Sequence, residues 1–271
     1  VQSDISKEIS EQLRLKLTGE EQKKLTKQYT QNTQAYQLYL KGRYYWSKRT
    51  PDGLKKAIDY LQQAIEKDPK YALAYAALAD SYLVLGDFEL LPPAEVVRKS
   101  KEASTKALEL DESLAEAHTA LAGVKELEWN WRETEKGYQR AIELNPNYPT
   151  AHHWYCLYLN AMGRQDESLA EIKRAQELDP LSMQINKNVA DRFLTLHQYD
   201  KAIEQYRKTI EMDPNFATAY DGLGLAYTAK GMYKEALATH QKNRDLSGDN
   251  LTYLIKSAEV FAQSGKKEET Q

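Results

Sequence analysis

Three stretches of this chain end alike: Ile142-Glu-Leu-Asn-Pro-Asn-Tyr148, Gln176-Glu-Leu-Asp-Pro-Leu-Ser182 and Ile210-Glu-Met-Asp-Pro-Asn-Phe216. Their prolines, Pro146, Pro180 and Pro214, stand 34 residues apart. Each period carries two helical patterns of apolar residues. Proline closes the period because it cannot continue a helix yet suits the first turn of the next one. A helix pair this short and one-sided cannot bury its apolar face alone and must stack on its neighbours. The chain therefore reads as an all-α solenoid of about six helix-turn-helix units.

Columns of small residues fix the phase. With the proline at position 32 of the unit, position 8 holds Ala79, Ala122, Cys156, Ala190, Gly224 and Ala258. Position 20 holds Ala57, Ser100, Thr134, Ser168, Ala202 and Ala236, and position 27 holds Ala64, Ala107, Ala141, Ala175, Thr209 and Asn243. Larger residues such as Leu78, Leu121, Tyr155, Val189 and Leu223 fill position 7. A slip of one residue destroys these columns. The period and its columns resemble the tetratricopeptide repeat (TPR), which implies a right-handed superhelix.

Composition narrows the function classes. The 271 residues suffice for several stacked units around a continuous core. A hydrophobic share of 41%, a charged share of 28% and a net charge of −3 fit a soluble folded chain without a strongly charged partner. Acids and bases alternate along the helices, as in Glu171-Ile-Lys-Arg174, so nucleic-acid binding is disfavoured. The single cysteine, Cys156, excludes an internal disulfide. No apolar run approaches the roughly 20 residues that span a bilayer, and the start has no signal-peptide pattern. Beginning at Val1 and stopping partway through a repeat, the chain reads as a soluble fragment.

In order, residues 1–34 read as an N-terminal helix, over 3–17, and a polar linker from a preceding domain. Residues 35–250 read as the array, with repeats starting near 35, 72, 115, 149, 183 and 217. Residues 251–271 read as a truncated seventh repeat or capping helix. Repeat one crowds Tyr36, Tyr39, Tyr44, Tyr45 and Trp46 onto its first helix, either as core and capping face or as a stacking surface. Repeat two carries an insertion, Asp87-Phe-Glu-Leu-Leu-Pro-Pro93, whose Phe88, Leu90 and Leu91 form either a local staple or a partner-facing patch. Repeat three places Trp129 at the inter-helix turn where glycine is usual.

At Trp129-Asn-Trp131, His152-His-Trp-Tyr155 and Leu178-Asp-Pro-Leu-Ser182 the likeness narrows further. The chain resembles the C-terminal TPR arrays of large bacterial signalling proteins, in which a serine/threonine kinase, winged-helix DNA-binding or nucleotide-cyclase domain comes first. The opening Val1-Gln-Ser-Asp-Ile-Ser-Lys-Glu-Ile9 and Leu15-Lys-Leu-Thr-Gly-Glu-Glu21 are similar to the joint with such a domain. This resemblance implies a sensing or scaffolding module, in some parents extracytoplasmic and membrane-anchored.

Few groups offer chemistry. His152 and Cys156 share a helix face, with His153 and His118 nearby in the repeat scheme, but zinc needs a fuller ligand set and Cys156 sits in a packing column. Gly222-Leu-Gly224 lies inside a helical pattern and reads as close helix contact rather than a phosphate loop. The chain reads as a non-enzyme without cofactor or metal.

Binding is the default of the architecture, through a concave wall lined by each first helix at positions 2, 5, 9 and 12. Those positions nominate Leu73, Asp80, Leu83, Glu116, Thr119, Glu126, His153, Leu157, Asn160, Lys187, Asp191, Leu194, Asp221 and Leu225. Leucines supply an apolar floor, and Asp80, Glu116, His153, Lys187, Asp191 and Asp221 supply selectivity. The Lys/Asn clamp of TPR modules that hold chaperone tails is missing, since Lys187 stands with Asp191 and His153 with Leu157. The expected partner is a protein segment, basic or neutral and extended, with no nucleic acid and no direct membrane contact. The alternatives are a spacer or homo-oligomerisation arm acting through the terminal helix or the Phe88 loop, and a small-molecule sensor near Trp131 and Trp154.

Overall fold

The computed structural model describes residues 29–248 and 250–265. The helix expected over 3–17 lies outside them. The described residues form thirteen α-helices and divide into two compact units, the first ending at Leu144 and the second starting at Asn145. The first unit stacks three hairpins: α1 (Thr33–Ser47) with α2 (Pro51–Lys67), α3 (Ala72–Gly86) with α4 (Pro93–Leu110), and α5 (Ala115–Leu127) with α6 (Trp131–Leu144). The second stacks α7 (Pro149–Ala161) with α8 (Gln165–Leu178), α9 (Met183–Thr195) with α10 (Tyr199–Met212), and α11 (Ala217–Ala229) with α12 (Tyr233–Ser247). Helix α13 (Asn250–Gln263) packs on α12. No described helix is long and apolar enough to cross a membrane.

The repeated Asx-Pro corner breaks each hairpin from the next. Asp68, Asn145 and Asp213 each accept the backbone N–H two residues on, at 3.0, 3.1 and 2.9 Å, and Asp111 does the same to Ser113 at 3.2 Å. This side-chain turn takes over the hydrogen bonding that a continuing helix would supply. Pro149 then opens α7, where its missing N–H costs nothing.

The small columns sit where hairpins meet. Ala57, Ala64, Ala79, Ser100, Ala107, Thr134 and Ala141 of the first unit are wholly buried, as are Cys156, Ser168, Ala175, Ala190, Ala202, Thr209 and Ala236 of the second. Hydroxyls in these columns return to helix carbonyls: Thr209 Oγ1 donates to Gln205 O at 2.9 Å, and Thr134 Oγ1 to Asn130 O at 3.0 Å. A small polar residue thus fills the place of alanine with its hydroxyl bonded at Thr134, Ser168 and Thr209, whereas Ser100 Oγ is buried without a partner. Glycine goes further. A Cβ on Gly222 would lie 2.4 Å from the Tyr206 ring, and one on Gly224 would lie 2.4 Å from the His240 ring.

A second use of glycine is conformational. The turn inside each hairpin needs one residue with positive φ: Arg49 (51°), Glu89 (55°) and Trp129 (60°) in the first unit, and Gly163 (76°), His197 (57°) and Gly231 (75°) in the second. After Trp129, Gly163, His197 and Gly231 the next residue closes the helix with an N–H bond to the carbonyl five back, as Arg164 to Leu159 at 2.9 Å and Gln198 to Phe193 at 2.8 Å. Four of the six turns therefore carry side chains where glycine is unstrained.

The aromatics of α1 divide between core and surface. Trp46 is buried with the Arg43 and Arg49 guanidinium groups 4.3 and 3.8 Å from its ring centre, and Tyr39 packs on Tyr71, whereas Tyr44 is exposed. Phe88 and Leu90 of the insertion are both partly exposed, at 38% and 42%. At the other end, α13 buries Ser257 and Val260, and among the described residues Leu251, Leu254 and Ile255 on it remain exposed.

The two roles of glycine separate in denaturation. Gly222→Ala forces backbone or ring to move, so it is expected to cost about 1–3 kcal/mol. Gly231→Ala meets nothing within 4 Å and pays only for its φ of 75°, about 1 kcal/mol. Urea midpoints that rank the two the other way would contradict this account.

Candidate functional site

On the first unit, α3 carries Leu73, Asp80 and Leu83, and α5 carries Glu116, Thr119 and Glu126. Asp80 is 0% exposed, with Arg43 Nη1 3.6 Å from its carboxylate. Glu126 is half-buried and accepts from the Tyr138 hydroxyl at 3.1 Å. Burial raises the Glu126 carboxyl above its usual range against that hydrogen bond, and the charge of Asp87 raises it further. Tyr39 is pushed up to about 12 by burial, with Glu116 and Asp80 adding to the rise and Arg43 opposing it. Tyr29 is likewise raised to about 12 by burial and by Glu116. Asp80, Glu116 and Glu126 thus share one electrostatic neighbourhood edged by tyrosines. Thr119 is different: buried, its hydroxyl donates to Ala115 O at 2.9 Å within its own helix.

On the second unit, His153, Leu157 and Asn160 lie on α7, Lys187, Asp191 and Leu194 on α9, and Asp221 and Leu225 on α11. His153 is buried and its Nε2 pairs with Asn188 Nδ2 at 2.6 Å, tying α7 to α9. Asp191 is doubly held, by Lys187 Nζ at 2.7 Å and by the Tyr206 hydroxyl at 2.5 Å, which links α9 to α10. Leu157 is 39% exposed, whereas Asn160, Leu194, Asp221 and Leu225 are half-buried. Asp221 Oδ1 lies 4.0 Å from Nδ1 of His240, an imidazole that is 2% exposed.

Reading only first-helix positions misses the second-helix partners. Tyr138, Tyr206 and His240 occupy the same place in their repeats, and each faces a carboxylate on the paired first helix. A large polar residue recurring opposite an acid was the available signal. Asn188, which bonds His153 on the neighbouring first helix, and the buried Arg192 were also missed.

The histidine and cysteine of α7 do not converge. His152 uses Nδ1 on Glu171 at 2.6 Å and Nε2 on Pro146 O at 3.0 Å. Cys156 is wholly buried, its Sγ 3.3 Å from Ser168 Oγ, and burial pushes the thiol up to about 11, far from a reactive thiolate. Among the described residues no group of three or more His, Cys, Asp or Glu could hold a metal ion.

Comparison with known proteins fits these hairpins. Models of the tetratricopeptide repeat match residues 38–90 and 190–231. A transcriptional regulator, HilA of Salmonella typhimurium, is 27% identical over 143 residues, covering 53% of this chain and 26% of the relative. The chain thus spans about a quarter of the length of that curated relative. Among solved structures, Pseudomonas aeruginosa PilF superposes with a TM-score of 0.59 at 20% identity, over 73% of this chain and 86% of the other. YrrB, described as a TPR protein with an unusual peptide-binding site, superposes with a TM-score of 0.50 at 22% identity, over 72% and 96%. These two likenesses concern the fold.

His240 makes stability depend on pH. Burial lowers its pKa below the ordinary 6.5, with Lys256 acting in the same direction and Asp221 and Glu259 opposing. From pH 6.5 downward the unfolded chain therefore binds a proton that the folded chain refuses, and stability falls until the folded imidazole also titrates. The urea midpoint is expected to drop between pH 7 and pH 5, with a shallower dependence in His240→Gln. Equal slopes in both proteins would exclude His240 as the source.

Proposed function

We propose that this tetratricopeptide-repeat chain is a non-catalytic protein-interaction scaffold that holds an extended peptide or helix of a partner against its first helices. The observation that carries the reading is the concentration of polar and apolar side chains on α3 and α5 of one unit and on α7, α9 and α11 of the other. The first-unit face, with Asp80, Glu116 and Glu126, suits a basic or neutral segment, and Leu73 and Leu83 supply apolar contact. On the second unit Leu157, Leu194 and Leu225 supply the apolar contact, and His153, Lys187, Asp191 and Asp221 the selectivity. Peptide binding by YrrB and the regulatory character of HilA support a docking or sensory role within a larger bacterial signalling protein.

Peptides selected by display on the whole chain provide the test. Asp191→Lys and Asp221→Lys are expected to weaken those that bind the second unit by about tenfold or more, with folding checked by circular dichroism. Unchanged affinity for every selected peptide would count against the reading.

A second reading rests on a specific observation, the exposed Leu251, Leu254 and Ile255 of α13 together with Phe88 and Leu90. It makes the chain an oligomerisation arm. Sedimentation equilibrium is then expected to show a concentration-dependent dimer that Leu90→Asp or Leu254→Asp abolishes; a monomer at all concentrations removes this reading.

A further inference from the structure

The first hairpin departs from a column that the other five keep. Position 7 of the unit is Leu78, Leu121, Tyr155, Val189 or Leu223 in the later hairpins, each buried or half-buried, but in the first it is Lys41, which is exposed. Rings gather beside it. Tyr45 stacks on Tyr60 of α2 with ring centres 5.5 Å apart and planes at 11°, and Tyr44 stands edge-on to Tyr45 at 5.3 Å. Each ring carries one ammonium group: Lys41 Nζ lies 5.5 Å from the centre of Tyr60, Lys56 Nζ 5.4 Å from that of Tyr45, and Lys48 Nζ 4.7 Å from that of Tyr44.

The charge of this hairpin is one-sided. Residues 33–67 carry seven Lys and Arg against three Asp and Glu, in a chain whose net charge is −3. The alternation of acids and bases that weighs against nucleic acid over the whole chain fails here. Of the three acids, Asp59 accepts from Gln63 at 2.8 Å, Asp52 sits in the first turn of α2 and Glu66 in its last. Elsewhere on the first unit Lys99, Lys101, Lys106, Lys125 and Lys136 each meet a glutamate at 2.7–2.9 Å. Among the described residues Lys41, Lys48 and Lys56 meet rings and no carboxylate. An end hairpin needs a polar outer face, but neutralised pairs meet that need; three uncompensated cations around three rings are a more particular arrangement.

The cluster lies off the groove. Residues 41, 44, 45 and 48 recur at spacings of three and four and so form one stripe of α1. Tyr36, Tyr39, Arg43 and Trp46 take positions 2, 5, 9 and 12 in α1, and at 3.6 residues per turn they fall on the opposite side of the helix. Tyr44 projects from the stripe, 56% exposed, while Tyr45 and Tyr60 are half-buried beneath their lysines.

We propose that the stripe Lys41, Tyr44, Tyr45 and Lys48 of α1, with Lys56 and Tyr60 of α2, docks single-stranded nucleic acid, with phosphates on the lysines and an unstacked base on Tyr44. The proposal is independent of the groove reading. An exposed contact between an ammonium group and a ring is weak, so a phosphate can draw Lys48 off Tyr44, forming an ion pair and freeing the ring face for a base. Lys41 and Lys48 stand two turns apart, about 10.5 Å along the axis, one on each side of Tyr44 and Tyr45. The rings choose between polyanions. A duplex keeps its bases stacked inside and leaves the rings unused, and an acidic peptide has carboxylates for the lysines but no flat face for the tyrosines. A membrane surface calls for several projecting apolar side chains, and among the described residues Leu40 is the one large aliphatic side chain exposed on this hairpin.

The test uses the whole chain and a fluorescein-labelled oligothymidylate of about twelve nucleotides, read by anisotropy across a salt series. Wild type is expected to bind it, and Tyr44→Ala to bind it about tenfold more weakly at every salt concentration, with Tyr44→Phe restoring the affinity. Lys48→Gln is expected to lower the slope of log affinity against log salt by about 0.7, a slope that Tyr44→Ala leaves unchanged. Both side chains are exposed, so circular dichroism is expected to show native helicity in each variant; were Tyr44→Ala to lose it, an abasic oligomer of the same length, binding wild type about tenfold more weakly than the oligothymidylate, decides the matter without any substitution. Four results each overturn the proposal: no binding of the oligothymidylate by wild type, equal affinity for the abasic oligomer, equal affinity for a duplex of the same length, or Lys48-dependent binding to phosphatidylserine vesicles that the oligothymidylate fails to compete, which would assign the surface to a membrane.

Discussion

Two helices can approach only as far as the side chains between their axes allow, and the rest of this structure depends on that limit. Alanine, serine, threonine and one cysteine fill the contact columns, and nearly all of these side chains are wholly buried. At Gly222 and Gly224 even a methyl group is too large, because the rings of Tyr206 and His240 occupy its place. Close approach brings the larger side chains of neighbouring hairpins into one core, as where Tyr206, Leu223, Tyr227 and Val260 pack together. A single hairpin has no such core, so stability comes from repetition.

The same packing decides which polar groups can act. First-helix carboxylates that would be open on an isolated helix receive hydroxyls from the second helix, as Glu126 does from Tyr138 and Asp191 from Tyr206. These bonds hold each acid in one direction, and burial resists the charge of Glu126. Other polar groups are oriented by the fold but not fully satisfied. Asp221 beside an imidazole with neither nitrogen bonded, and Arg192 with two nitrogens unbonded, are of this kind. Each is buried without its full set of hydrogen bonds, which costs stability.

Non-glycine residues in the left-handed turns follow the same logic on a smaller scale. At Trp129 and His197 the turn holds a side chain at positive φ, where the following N–H closes the helix on the carbonyl five back. Trp129 accepts it while 76% exposed, its ring set edge-on to Trp131 at 5.3 Å. Tertiary stacking of the flanking helices is strong enough to hold a local conformation that the residue alone disfavours.

The sequence by itself determined the helices, their pairing and the contact columns, because a fixed period repeats the same local signals: an Asx-Pro corner, small residues at set spacings and apolar residues between. It also placed Cys156 in packing rather than chemistry, and read Gly222 and Gly224 as close contacts. Only the tertiary structure decided which first-helix side chains are held, and by whom, since Asp191 and Tyr206 are 15 residues apart and His153 and Asn188 are 35. It alone brought out Arg192, whose donors go unused because of what surrounds it, a matter of neighbours in space that a one-dimensional period does not encode. A repeat fixes the positions along each helix; the burial of a charge depends on every element packed around it.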